Sequence, residues 1–227
     1  GYIYRGLKPV YWCPDCETAL AEAEIEYKDH ESLSLYVKFN VVDSKGLFDE
    51  KDTSIVIWTT TPWTLPGNTG ITVGGDFDYS IVDVGNEKYI IASELVDKVM
   101  KITGIEEYKE VQKFKGKEME GILCKHPFLD RESRVVIGSE TTVNVDIVEG
   151  TGAVHTAPAY GKEDYLQGLK DNLDMVVCVD AKGHQTEGAG EFAGLFYAKS
   201  NKVIAKWLED NGYLLKALPL KHSYPHC

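Results

Sequence analysis

The 227-residue chain contains no run of eighteen or more apolar residues and no charged-then-apolar leader, which argues against a membrane-spanning helix or a secretory signal and leads us to expect a cytoplasmic chain with no membrane partner. It is short of positive charge. With 24 Lys and Arg against 36 Asp and Glu, the net charge is −12; because phosphate neutralisation supplies most non-specific affinity for nucleic acid, any such contact must be local. Five cysteines, of which only Cys13 and Cys16 lie close together, make no disulfide framework. Neither a Gly-x-Gly-x-x-Gly nor a Walker sequence occurs, so a nucleotide-cofactor domain is not expected. Internal repeats, low-complexity tracts and long blocks of one charge are also lacking. The first residue is Gly1 and the last two are His226 and Cys227, which reads as a piece of something longer.

What is present is enough for a sizeable core, with 43% hydrophobic residues. Residues 33–42 alternate apolar and polar side chains, as does 54–59, and each predicts a strand. Residues 79–92 predict a hairpin turning at Gly85-Asn86. A helix is expected from Ser93 to just before Gly104, burying Leu95, Val96, Val99 and Ile102. Short strands are expected over 113–124, 134–137, 143–148 and 175–179. A last helix over 201–211 takes Ser200 as N-cap and Gly212 as stop, with Val203, Ile204, Trp207 and Leu208 as its packing stripe. Many strands and three helices predict a mainly β, α+β fold: a closed or strongly curved β-barrel with peripheral helices.

Three stretches stand apart. In 58–68, Trp-Thr-Thr-Thr-Pro-Trp-Thr-Leu-Pro-Gly-Asn, the prolines fix φ and remove amide donors, so a strand must end in a rigid, hydroxyl-lined turn. Such a turn is a stiff surface loop or a binding loop. In 149–165, Gly150 and Gly152 flank Thr151, a short strand presents His155, and Gly161 opens a helix whose first turn holds Glu163 and Asp164. Taken singly, His155 reads as a satisfied structural histidine and Asp164 as a residue favoured by the helix dipole. The third stretch, 8–16, ends in Cys13-Pro-Asp-Cys16. Two thiolates at that spacing reach one tetrahedral zinc, which needs two more ligands; His222, His226 and Cys227 are the later candidates. The alternatives are buried thiols, or a redox pair whose βαβ context does not follow.

Together, Trp58–Asn68 and Gly150–Tyr165 resemble the editing domain of isoleucyl-tRNA synthetases, the connective-polypeptide 1 insertion of a class I enzyme. Tyr11–Cys16, Ala19–Tyr27 and His222–Cys227 agree with it, so the resemblance spans essentially the whole chain. The related valyl and leucyl enzymes usually carry Thr-Thr-Arg-Pro where this chain has Thr-Thr-Thr-Pro-Trp; the one departure is Gly67 in place of the family's usual Ala. The resemblance implies a single editing domain over 1–227, with a core of about 33–200 and segments 1–32 and 201–227 forming a stem towards a catalytic body. It implies hydrolysis of valine from valyl-tRNA(Ile), and clearance of valyl-adenylate, without synthetic or ATP-binding activity in this piece. Asp164 would be the essential editing aspartate, holding the substrate ammonium by a charge-assisted hydrogen bond, with Thr59 and Thr61 beside it in catalysis. Thr60, Trp63, Thr64, Asn68 and His155 would bind substrate, His155 sensing the side chain. Partners would be the 3′ end of tRNA(Ile) carrying valine and the rest of the synthetase. No cofactor is expected for editing, and Cys13 and Cys16 are candidate zinc ligands, their site incomplete in this piece and fuller in the longer parent. Since no Ser-His-Asp set accompanies these motifs, direct attack by a positioned water is expected. The alternatives are an editing domain of valyl or leucyl type, or a non-catalytic tRNA-positioning or zinc module.

Overall fold

The alternation at 33–42 belongs to a strand of 18 residues that organises the sheet. The structure is a computed structural model describing residues 6–227, with the side chains of 28–30 and 222–226 outside the description. A small antiparallel hairpin of β1 (Trp12–Cys13) and β2 (Thr18–Ala19) comes first. There follow β3 (Glu26–Asp43), β4 (Thr53–Thr59), β5 (Gly70–Val73), β6 (Asp78–Asp83), β7 (Lys88–Ala92), α1 (Val96–Thr103) and β8 (Lys109–Lys115). The remainder is β9 (Leu123–Lys125), β10 (Glu132–Ile137), β11 (Ala153–Thr156), α2 (Lys162–Asp171), α3 (Tyr197–Asp210) and β12 (Leu214–His226).

Six strands close a barrel in the order β3-β9-β10-β5-β11-β4, with β4 returning to β3 from Leu35↔Thr59 to Asn40↔Ser54. The β10–β5 and β11–β4 pairs are parallel and the other four antiparallel. Within the closed ring each strand has a partner on both sides, which bears out the expected barrel. Strand β4 divides its other edge: Thr53–Ile55 pair with β7, while Trp58 pairs with Val154 of β11. That division frees the end of β4 to run into the proline turn beside β11. Leu35, Val37, Phe39, Ile55, Ile57, Ile71 and Ile90 are fully buried in the core, and Ile204 and Leu208 of α3 join it.

Several expected elements differ. Residues 113–124 are not one strand: a short 3-10 turn over Gly116–Met119 separates β8 from β9. A Cβ on Gly116 would collide with the Gly74 carbonyl, so the chain passes too close there for an ordinary strand. Residues 143–148 form no strand. Val143 and Val145 are buried while Asn144 and Asp146 are exposed, so the alternation reports one-sided burial; both edges of neighbouring β11 are taken by β5 and β4. Residues 175–179 form no strand and make one isolated bridge, Val179↔Gln185. Helix α3 begins at Tyr197, placing Ser200 inside it with its hydroxyl donating to Tyr197 O at 2.7 Å. Gly212 does end the chain's helical course, at φ +76°. Among the described residues, no helix is long and apolar enough to cross a membrane.

Candidate functional site

The turn after β4 is rigid because its acceptors draw donors from distant parts of the chain. Pro62 and Pro66 offer carbonyls and no amide hydrogen. The Thr61 carbonyl accepts from Thr64 Oγ1 at 2.8 Å and the Trp63 carbonyl from Gln185 Nε2 at 2.9 Å. Leu65 O accepts from buried His126 Nε2 at 2.9 Å, and Pro66 O takes the Arg131 guanidinium and the Cys178 thiol. Burial holds His126 neutral, at about 3. The Trp63 amide donates to Asn201 Oδ1 of α3 at 2.9 Å, and its ring meets those of Tyr160 and Tyr197 edge-on.

This turn forms one wall of a cleft of about 880 Å³. Thr59, Thr60, Thr61, Trp63 and Thr64 line it together with His155 of β11 and Asp164 of α2. Of the candidate site residues in these two stretches, only Asn68 stands outside the lining. It is fully buried behind His155, giving Nδ2 hydrogens to Gly70 O at 2.9 Å and His155 Nδ1 at 2.7 Å. Its place corrects the expectation of direct ligand contact, because its amide is committed within the protein. His155 Nε2 lies 2.8 Å from Thr64 Oγ1, and burial drives the ring's pKa down to about 3, so the imidazole is neutral. Thr59 Oγ1 accepts from the Thr61 amide at 3.2 Å, while Thr60 is half-buried on the cleft wall.

Asp164 is half-buried in the first turn of α2. Desolvation raises its carboxyl to about 7; Glu163 adds to the rise and a hydrogen bond from the Ala157 backbone opposes it. The carboxylate folds back over Gly161, where a Cβ would run into Oδ2. Gly161 has an ordinary φ of −124°, so glycine is needed there for space and not for backbone conformation. Gly161→Ala should therefore keep the fold, with melting temperature nearly unchanged, while displacing the Asp164 carboxylate, a shift that a crystal structure of the variant checks.

Other cleft residues escape a reading of local sequence. Asn144 and Asp146 line the cleft from the loop expected as a strand, and Glu149 from just after it. Tyr160 packs against Trp63, its hydroxyl accepting from the Cys178 amide at 2.5 Å. A Cβ on Gly67 would strike the Tyr160 ring, which gives the departure at position 67 a physical reason. Trp63 and Tyr160 also line a second cleft of about 690 Å³, with Tyr11, Trp12, Phe196 and Tyr197.

Cys13, Cys16 and Cys227 bring three sulfurs within 4.8 Å of one another. Cys13 Sγ is 3.2 Å from Cys227 Sγ and accepts from the Cys16 amide at 3.4 Å. That amide is the main cause lowering the Cys13 thiol, with the Cys227 thiol second. Three soft donors at these spacings fit a tetrahedral zinc and lack one ligand; the side chains of His222 and His226 lie outside the described residues.

Residues 1–187 match the family described as tRNA synthetases class I (I, L, M and V). The chain belongs to this family. Over its whole length this synthetase chain is 57% identical to an isoleucine--tRNA ligase of Caldicellulosiruptor bescii, covering 25% of that protein, and 50% identical to one of Moorella thermoacetica, covering 24%. It thus spans about a quarter of the length of the relatives it matches. A crystal structure described as GlLeuRS-CP1 superposes with a TM-score of 0.62 over 80% of this chain and 97% of the other, at 13% identity. The synthetase chain therefore has the fold of a CP1 domain.

Proposed function

We propose that this chain is the proofreading domain of an isoleucyl-tRNA synthetase, hydrolysing valine from mischarged valyl-tRNA(Ile) and acting on valyl-adenylate as well. The observation that carries the reading is a half-buried carboxylate, Asp164, without a cationic partner among the described residues, facing the same cleft as a neutral, immobilised His155. An aminoacyl ester brings the missing cation as its α-ammonium. Asp164 holds that group, His155 and Trp63 bound the amino-acid side chain, and the hydroxyls of Thr59, Thr60 and Thr61 face the ester and terminal ribose. Water adds to the ester carbonyl carbon, hydroxyl donors stabilise the developing oxyanion, and the C–O bond to the ribose breaks as the ribose oxygen takes a proton. The second sieve is needed because one methylene discriminates by only about 1–3 kcal/mol in an apolar pocket, a magnitude for which the choice between isoleucine and valine by this very class of enzyme is the standard example.

The tRNA 3′ end and the rest of the synthetase are the partners, in the cytoplasm, and the net charge of −12 fits a domain that touches RNA only at that end. Editing needs no cofactor. In the longer parent the thiols of Cys13, Cys16 and Cys227 hold zinc as a structural clip. Chelation should leave the hydrolysis rate unchanged while Cys13→Ser lowers bound zinc and melting temperature; a rate that collapses with chelator favours the zinc-module reading.

The test is deacylation of valyl-tRNA(Ile), with threonyl-tRNA(Val) and methionyl-tRNA(Leu) as the substrates of the valyl and leucyl types. Because Asp164 in the free domain titrates near 7, kcat/KM for the valyl ester should fall about tenfold per pH unit below that point. The kcat profile should break lower, since a bound ammonium draws the carboxyl back towards its ordinary range. Preference for another substrate, or a kcat/KM flat between pH 5 and 8, counts against the proposal.

A further inference from the structure

Behind His155, two fully buried polar residues lie outside the cleft, Asn68 at the end of the proline turn and Ser133 on β10, in register with Cys124 of β9. Ser133 Oγ makes a short hydrogen bond to Asn68 Oδ1. Asn68 Nδ2 meets Gly70 O at 2.9 Å, and a backbone carbonyl only accepts, so this end of the amide is the nitrogen. Its second hydrogen then points at His155 Nδ1, 2.7 Å away. Nδ1 must carry a lone pair there, which leaves the ring proton on Nε2 to donate to Thr64 Oγ1 at 2.8 Å. Thr64 in turn gives its hydrogen to Thr61 O at 2.8 Å. Each proton's direction follows from the buried end outwards.

We propose that Ser133 and Asn68 are positioning residues that lock His155 as a neutral, Nε2-protonated imidazole, so that it limits the cleft by shape and cannot act as a general base. Both ring nitrogens are occupied, one accepting and one donating. The burial that keeps His155 uncharged agrees with this. The hydroxyl of Thr61, 3.3 Å from Thr64 Oγ1, ends the chain: Thr64 has no hydrogen to give it, so across this contact Thr61 donates and its oxygen keeps its lone pairs. The consequence for selectivity rests on the editing reading above, whereas the tautomer does not.

The test uses the 15N-labelled 227-residue chain and long-range 1H–15N correlation of the His155 ring. The wild type should show Nε2 protonated and Nδ1 bare. Asn68→Asp exchanges the donor for an acceptor and should move the proton to Nδ1. Ser133→Ala releases one restraint on the amide; it should produce exchange between tautomers and lower the preference for valyl over isoleucyl ester by about tenfold, the worth of one good hydrogen bond. Ser133→Thr, which keeps the hydroxyl, should restore both. A wild-type ring protonated at Nδ1, an Asn68→Asp spectrum like the wild type, or a Ser133→Ala chain with unchanged spectrum and preference overturns the proposal. Predicted spectra in a chain that hydrolyses none of the esters uphold the lock and remove the editing reading.

Discussion

Asp164→Asn should reduce valyl-tRNA hydrolysis by about a hundredfold or more and, at the same time, make the chain more stable at neutral pH. The loss follows from placing the ester: without the carboxylate the ammonium has no charged partner, and misplacement of about 1 Å costs a rate of that order. The gain in stability follows from the direction of the shift. In the folded chain the carboxyl is raised from 3.8 to about 7, so the native state retains a proton that the unfolded state has released between those values. Stability therefore declines as pH rises from about 4 to about 7 and stays low above. Discounted for its partial exposure, the penalty at pH 8 is about 2 kcal/mol, or about 5 °C in melting temperature for a chain of this size. The asparagine should recover this at pH 8 and almost none of it at pH 4. A variant that loses activity and is also less stable at pH 8 would mean that Asp164 is structural.

His155→Ala should open the sieve, and the isoleucyl ester should then be hydrolysed at a rate approaching that of the valyl ester. The ring is buried and held at both nitrogens, so it defines a fixed surface that an extra methylene meets at full cost. Removing it forfeits most of the discrimination available from that group, a change of about tenfold or more. Stability should fall by about 1–3 kcal/mol, because the Asn68 amide loses its acceptor in a closed site. Rates on the two esters, taken with urea denaturation of the same variant, separate the effects. Unchanged selectivity despite the stability loss would assign the side-chain boundary to Trp63 and Tyr160.

Much of this site is legible in local sequence because its chemistry is marked by local rules. Two prolines and a run of threonines announce a stiff, hydroxyl-bearing turn, and a glycine before Lys162 announces the start of the helix carrying Asp164. The barrel is legible as a strand count. Its closure depends on β3 pairing with both β4 and β9, contacts that carry no short-range signature. The same holds for Cys227, which meets Cys13 from the other end of the chain. Residues 143–148 mimic a strand because alternation measures which side faces the interior and does not say whether a neighbouring strand has an edge to offer. An amide after a binding turn looks like a ligand, and so Asn68 is expected in the cleft; only the buried positions of Ser133 and Gly70 O show that both ends of it are already engaged. Gly161 reads locally as a helix opener, while its lack of a Cβ is what makes room for the carboxylate.

In the proposed function one cleft receives the ammonium at Asp164 and the side chain at His155. A crystal structure of the chain with a non-hydrolysable amide analogue of valyl-adenosine tests it most directly. The ammonium nitrogen should lie about 2.7–3.0 Å from an Asp164 carboxylate oxygen, with the valine methyls against His155. An analogue bound with its ammonium on Glu163, Asp146 or Glu149, or bound in the second cleft beside Trp12, contradicts it.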